Sequence, residues 1–145
     1  MDYFDQYPGL TYLEAAPADV GINYWWCDQD GTSIPATAGW AANAVGRGPA
    51  NTDAMLAVCA SGAANAAAVY VSPTGTDDWF LPSLGELMLM YTNLRPAGVG
   101  GFSSDFYWSS SEYDHYYAWF QYFGDGIQYK NLKASGKSVR AVRAF

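Results

Sequence analysis

The sequence predicts an α+β domain, with two helices packed on antiparallel β-sheets and a C-terminal β meander. Three observations carry that expectation. A helix-capping signal sits at Ser83, short turn-punctuated apolar stretches fill the first 48 positions, and strand-like runs separated by tight turns extend from Phe102 to Phe145. With 145 residues, half of them apolar, the chain can form one compact core, which argues for a single domain over residues 1–145.

Taken in order, Tyr7-Pro8-Gly9, Asp30-Gly31 and Ile34-Pro35 punctuate segments too short for helices, so short strands and turns are expected there. Pro49 to Asp53 reads as a helix start, and Ala54 to Ala60 continues it until Ser61-Gly62 weakens the pattern. Ala63 to Tyr70 is alanine-rich and ambiguous, and Pro73 to Asp78 is a loop. Ser83-Leu84-Gly85-Glu86 has the S-x-x-E form in which the serine and glutamate satisfy orphan amides at a helix start. The helix runs from Leu84 to about Asn93, with Leu84, Leu87, Met88 and Tyr91 on one core-facing side, and Arg95-Pro96 and Gly98 stop it. The meander comprises Phe106–Ser111, Ala118–Phe123, a Gly124-Asp125-Gly126 turn, Ile127–Lys130 and Val139–Phe145.

Charged residues are 14% of the chain and the net charge is −7, so no general phosphate-neutralising surface exists and nucleic acid is excluded as a partner. The longest apolar run, Ala66–Val71, is far too short to insert into a membrane, and the start Met1-Asp2-Tyr3-Phe4-Asp5 lacks a signal-peptide pattern. Five of the seven basic residues, Lys130, Lys133, Lys137, Arg140 and Arg143, fall in the last 16 positions, after every acid. That asymmetry predicts ion pairing between the C-terminal segment and an acidic body, involving Arg140 or Arg143 at least. Cys27 and Cys59 are expected as buried free thiols, with a single bridge as the alternative.

Eleven of the 25 aromatic residues lie within the 24 positions from Phe106 to Tyr129. Strand alternation puts Trp119, Gln121 and Phe123 on one side of the hairpin and Phe120 and Tyr122 on the other. Both sides carry large rings, and the remaining elements supply one covering layer, so one aromatic face is expected to be exposed. Trp119 is assigned to the core, and Phe120 and Tyr122 to the open face. Tyr113-Asp114-His115-Tyr116-Tyr117 has the composition of a binding loop, because Tyr offers large contact area at small entropic cost.

Tyr12-Leu13-Glu14-Ala15-Ala16-Pro17, Asp78-Trp79-Phe80-Leu81-Pro82-Ser83 with Glu86-Leu87, Gly101-Phe102, Tyr107 to Glu112, and Val139 to Phe145 together resemble a large microbial group with a C-type lectin fold. The resemblance covers almost the whole chain. The C-terminal part is more narrowly similar to prokaryotic or viral variable proteins of diversity-generating retroelements, in which adenine-directed mutation turns Asn codons into codons ending in a pyrimidine. Such codons cannot encode Trp, Gln, Lys, Glu or Met.

Within a variable region of residues 113–136 the resemblance implies fixed residues at Ala118, Trp119, Gln121, Phe123, Gly126, Gln128, Lys130 and Lys133. Five of these eight are residue types the mutation cannot produce. It implies ligand-binding, variable positions at Tyr113, Asp114, His115, Tyr116, Tyr117, Phe120, Tyr122, Gly124, Asp125, Ile127, Tyr129, Asn131, Leu132, Ala134, Ser135 and Gly136, all of them reachable types. The expected function is a diversified receptor for a protein or glycan ligand, monomeric in isolation. A non-diversified lectin-like adhesion or surface-protein domain with one constant ligand is the alternative, and an assembly module that buries the face in an oligomer is a third.

An enzyme is not expected. The lectin-like group includes formylglycine-generating enzymes, whose chemistry uses cysteines and metal near the C-terminal core, whereas both cysteines here precede residue 60. His115, the single histidine, has no Ser or Cys nucleophile motif around it. The Glu-Pro-Asn, Gln-Pro-Asp and Trp-Asn-Asp strings of calcium-dependent C-type lectins do not occur, and Asp28-x-Asp30-Gly31 reads as a tight turn, so no metal and no cofactor are expected. Gly98-x-Gly100-Gly101 follows a helix and reads as its stop.

Overall fold

A computed structural model describes residues 12–145; the expected Tyr7-Pro8-Gly9 turn lies outside the described residues. The strands are β1 (Leu13–Ala15), β2 (Gly21–Tyr24), β3 (Phe106–Glu112), β4 (Tyr117–Tyr122), β5 (Gln128–Leu132), β6 (Lys137–Val139) and β7 (Val142–Ala144). A 3-10 turn at Pro35–Thr37 precedes the helices α1 (Gly39–Asn43), α2 (Gly48–Leu56), α3 (Ala63–Ala68) and α4 (Leu84–Leu94). The predicted α+β class is the class that forms. Two of the four helices, α1 and α3, go beyond the two expected, because five or six residues are too few to show a helical period.

Strands β2-β6-β3-β4-β5 form one sheet and β1-β7 a second, which ties the two ends of the described chain together through Leu13↔Ala144 and Ala15↔Val142. Most pairs are antiparallel, but β6 lies parallel to β3 at Tyr107↔Ser138, so the C-terminal segment is not a pure meander. The expected last strand also splits. The chain leaves the large sheet after Val139 and joins β1 at Val142, and between them Arg140 turns inward. The Arg140 guanidinium is 1% exposed, pairs with Asp19 at 2.8 Å and donates to the Ala16 and Gly100 carbonyls. Arg143 pairs with Asp78 at 2.7 Å and Glu14 at 3.2 Å. The predicted ion pairing is therefore present at both arginines.

Helix α4 begins with the reciprocal cap that its sequence signals. Ser83 Oγ accepts from the Glu86 amide, and Glu86 Oε1 accepts from the Ser83 amide. The same Glu86 oxygen accepts the Gly48 amide at 2.8 Å, so one buried carboxylate serves the starts of both α2 and α4. A side chain at Gly48 would collide with Glu86 and Phe80, which makes glycine necessary there. Leu87 and Met90 of α4 pack on Phe80, Phe102, Tyr107 and Phe123. A second cluster holds Trp26, Met55, Trp79, Leu81, Trp108, Phe120 and Val139.

The cysteines are bonded to each other, Cys27 to Cys59, rather than free. The Asp28 carboxylate accepts the Ala60 and Ser61 amides, and the Asp28 amide donates to the Ser61 carbonyl, which folds the α2–α3 connection against Cys27. Closing a loop of 32 residues contributes roughly 4 kcal/mol on chain-entropy grounds. Those amides, the Ser61 one foremost, hold the Asp28 carboxyl below the usual aspartate range. The Asp28-x-Asp30-Gly31 stretch forms the expected tight turn, closed by Thr32 N–H donating to the Gln29 carbonyl.

Candidate ligand-binding face

The site is built on β3, β4 and β5. Their register places Phe106 opposite Tyr122, Trp108 opposite Phe120, and Phe120 opposite Tyr129, and directly opposed residues share a face. The result is a continuous strip of rings. Phe106 stacks on Tyr122 at 4.7 Å, Phe120 stacks on Tyr129 at 5.6 Å, and Phe106 meets Phe120 edge to face at 5.6 Å. Lys137 of β6 lies along it, its ammonium 4.3 Å from the Phe120 ring centre and 5.0 Å from that of Trp108. Burial lowers the Lys137 pKa, and Asp105 opposes that shift.

The other face of the hairpin is half covered. Gln121 donates to the Gly126 carbonyl and to Met88 of α4, and Gln128 donates to the Leu84 carbonyl, so α4 covers the end nearest the turn. Gly126 holds φ +79°, and a side chain there would strike the Tyr91 ring. Beyond α4 the face opens. Tyr113 meets Trp119 edge to face at 5.3 Å, and the Lys130 ammonium sits 3.9 Å from the Tyr113 centre and 5.6 Å from that of Tyr117.

The loop between β3 and β4 presents further rings. Asp114 Oδ1 accepts the amides of Tyr116 and Tyr117, both at 2.9 Å, while the Tyr113 and Asp114 amides donate to the Tyr117 carbonyl. This closed turn leaves Tyr113, His115 and Tyr116 exposed, with His115 against the Tyr116 ring at 5.0 Å. Desolvation alone would raise the Asp114 pKa, but the two amides, with His115 and Lys130, outweigh it and hold the carboxyl below the usual aspartate range. A folded pKa that is depressed stabilises the turn above the unfolded value, and that contribution is lost as pH falls through the folded value. The Tyr116 and Tyr117 amide shifts should therefore titrate with a midpoint below about 3.9; a midpoint at or above it contradicts the turn.

Of the predicted site residues, Tyr113, His115, Tyr116, Gly124, Asp125, Ile127, Tyr129, Leu132 and Gly136 are exposed, and Asp114, Tyr117, Tyr122, Asn131, Ala134 and Ser135 are half-buried. Phe120 departs from expectation: it is 6% exposed and belongs to the core, because Trp108, Phe106 and Tyr129 close over it. Trp119 departs in the opposite sense and is half-buried, with Tyr113 against its ring edge to face. The rings therefore form two patches, one on each side of the hairpin. Phe106, 44% exposed, and Lys137 belong to the strip but lie outside positions 113–136. The signal for Phe106 was its alternation with Trp108 in one strand.

A family model described as the Lcl C-terminal domain matches residues 13–143. No curated protein matches the chain.

Proposed function

The chain belongs to the Lcl C-terminal domain family and is a lectin-like ligand-binding domain; from that premise we propose that its segment 113–136 is a binding face diversified by a retroelement. The carrying observation is how burial divides those positions. Six are buried, namely Ala118, Phe120, Gln121, Phe123, Gly126 and Lys133, and five of the six belong to the class that the family resemblance implies is fixed. Scaffold positions inside and variable positions outside is the division such a receptor needs. We further propose a non-catalytic, monomeric module that uses neither metal nor cofactor and binds protein or glycan. In support, the exposed His115 lies against a tyrosine ring, and both cysteine sulfurs are engaged in the disulfide, so neither offers a thiolate.

Sequencing the encoding locus from several populations tests the reading. Codon differences should be confined to the sixteen named positions and traceable to adenines in a template copy. Identical codons throughout would leave a lectin-like domain with one constant ligand.

A further inference from the structure

Strand β5 is an edge of the five-stranded sheet, and among the described residues no strand pairs with its outer side. The Tyr122 amide donates to the Ile127 carbonyl at one end of the β4–β5 ladder, and the Lys133 amide donates to the Tyr116 carbonyl at the other. Bonded pairs alternate along an antiparallel ladder, so the register also bonds Tyr129 to Phe120 and Asn131 to Ala118. The backbone groups of Gln128, Lys130 and Leu132 therefore point away from β4. Those of Leu132 are engaged, the amide with Asn131 Oδ1 at 2.7 Å and the carbonyl with the Ser135 amide at 3.0 Å. The amides and carbonyls of Gln128 and Lys130 stand as a short ladder without a partner strand among the described residues.

The two ring patches lie on opposite faces of this same edge. Tyr129 belongs to the strip with Phe120, Phe106 and Tyr122, whereas Lys130, opposite Trp119, lies on Tyr113 on the other face. A ligand docked on either face of the sheet reaches one patch and leaves the other. A strand added beside β5 reaches both, because its successive side chains alternate between the faces. Lys130 gives one face a sign. It is exposed and forms no salt bridge among the described residues, and the neighbouring Asp114 carboxylate is engaged by the Tyr116 and Tyr117 amides.

We propose that an extended segment of another protein adds to the β5 edge and bonds the Gln128 and Lys130 backbone, with an apolar side chain against Tyr129 and a carboxylate beside Lys130. The inference rests on the binding-face reading above and deepens it by naming the mode of recognition. Gln128 and Lys130 are among the positions the resemblance keeps fixed, whereas Ile127, Tyr129, Asn131 and Leu132 are not, so main-chain bonding persists whatever the variable positions hold. A second copy of the chain fits less well. Two-fold pairing that uses all four backbone groups sets Lys130 against the neutral Gln128, and it joins two chains that each carry a net charge of −7.

The test follows amide hydrogen exchange by NMR in the whole chain, first without ligand. The Gln128 and Lys130 amides should exchange at least about tenfold faster than those of Tyr129 and Asn131. Slow exchange at both overturns the proposal: in a chain that light scattering shows to be dimeric the occupant is a second copy, and in a monomeric chain the edge is already covered. Short linear random peptides displayed on phage are then selected against the immobilised chain and remade synthetically. Binding peptides should slow exchange at Gln128 and Lys130 at least about tenfold, and should carry an apolar residue next to Asp or Glu. Lys130→Pro removes an outward amide and spares the bonds to β4, so it should weaken binding at least about tenfold, against about threefold for Lys130→Gln, which removes only the charge. N-methylation of alternate peptide amides should give a comparable loss with the chain unaltered, which decides the matter if the proline variant does not fold. A consensus without the carboxylate overturns the stated partner chemistry. Peptides that lose binding on Tyr113→Ser or Tyr129→Ser yet leave both amides unprotected overturn strand addition while leaving the binding face standing. Peptides that ignore the tyrosine changes and protect neither amide, or no binding peptide at all, overturn the binding face and this inference with it.

Discussion

Exchanging Lys133 for methionine should lower the unfolding free energy by about 3 to 5 kcal/mol, although the position lies in a short loop beside the binding face. Lys133 is fully buried and Glu112 is 1% exposed, with the ammonium 2.5 Å from Oε1. The ammonium also donates to the Thr32 carbonyl at 2.9 Å and lies 4.8 Å from the Trp26 ring. Glu112 in turn accepts the Ile34 amide and the Ser33 hydroxyl. Methionine matches the length of the lysine stem, so the cost arises from leaving a buried carboxylate without its cation rather than from a cavity. Removing both charges, as Lys133→Met with Glu112→Gln, should therefore recover at least about half of the loss. The midpoint of urea unfolding, at unchanged slope, measures both. A single variant within about 1 kcal/mol of the parent, or a double variant no better than the single, contradicts this account. The backbone gives the pair a second consequence. The Lys133 amide donates to the Tyr116 carbonyl, and the Lys133 carbonyl accepts from the Trp26 amide, so weakening it loosens the loop that carries Tyr113, His115 and Tyr116.

Features set by local chemistry were legible in the sequence. The Ser83/Glu86 cap, the Gly124–Gly126 hairpin turn and the helix stop at Gly98 each depend on a few adjacent residues, and each formed as read. Features set by distant partners were not. Nothing in a spacing of 32 residues distinguishes two thiols from a bridge; the pairing follows from Asp28 folding the chain back on itself. The sequence predicts an ion pair at Arg140 or Arg143 and a single strand over Val139–Phe145, whereas Arg140 is the residue around which the chain changes sheets. The run Ser109-Ser110-Ser111 carries a register shift between β3 and β4. All three serines are buried, where they bond the Trp119 carbonyl, the Pro82 carbonyl and the Leu84 amide, a use no periodicity could show. Alternation correctly divided β4 into two ring-bearing faces. It could not say where a helix ends or where neighbouring strands close in, so Phe120 and Trp119 were placed the wrong way round.

That reversal has a measurable consequence: Phe120→Ala should cost about 3 to 5 kcal/mol and Trp119→Ala about 1 to 2 kcal/mol, although tryptophan is the larger side chain. Phe120 is closed in by Trp108 at 6.2 Å, Phe106 at 5.6 Å and Tyr129 at 5.6 Å, so truncation opens a cavity that the flanking strands cannot collapse into. It also removes the ring under the Lys137 ammonium, leaving a nearly buried charge with less to compensate it. Trp119 loses its contact with Tyr113 and part of its cover, and water fills the space at small cost. Equal slopes in urea unfolding would make the two losses directly comparable, and a larger loss at Trp119 would restore the assignment from simple alternation. The same asymmetry constrains diversification. If adenine-directed mutation reaches position 120, viable variants should keep a large apolar residue there, because a polar replacement gives up most of a marginal stability of about 5 to 15 kcal/mol at the lower end of that range. Tyr122 and Tyr129, at the edges of the strip, carry no such requirement and should vary freely. Variation at 120 as broad as at 122 and 129, in proteins that still fold, would mean that the strip tolerates loss of its central ring and that the packing of Phe120 contributes far less than its burial implies.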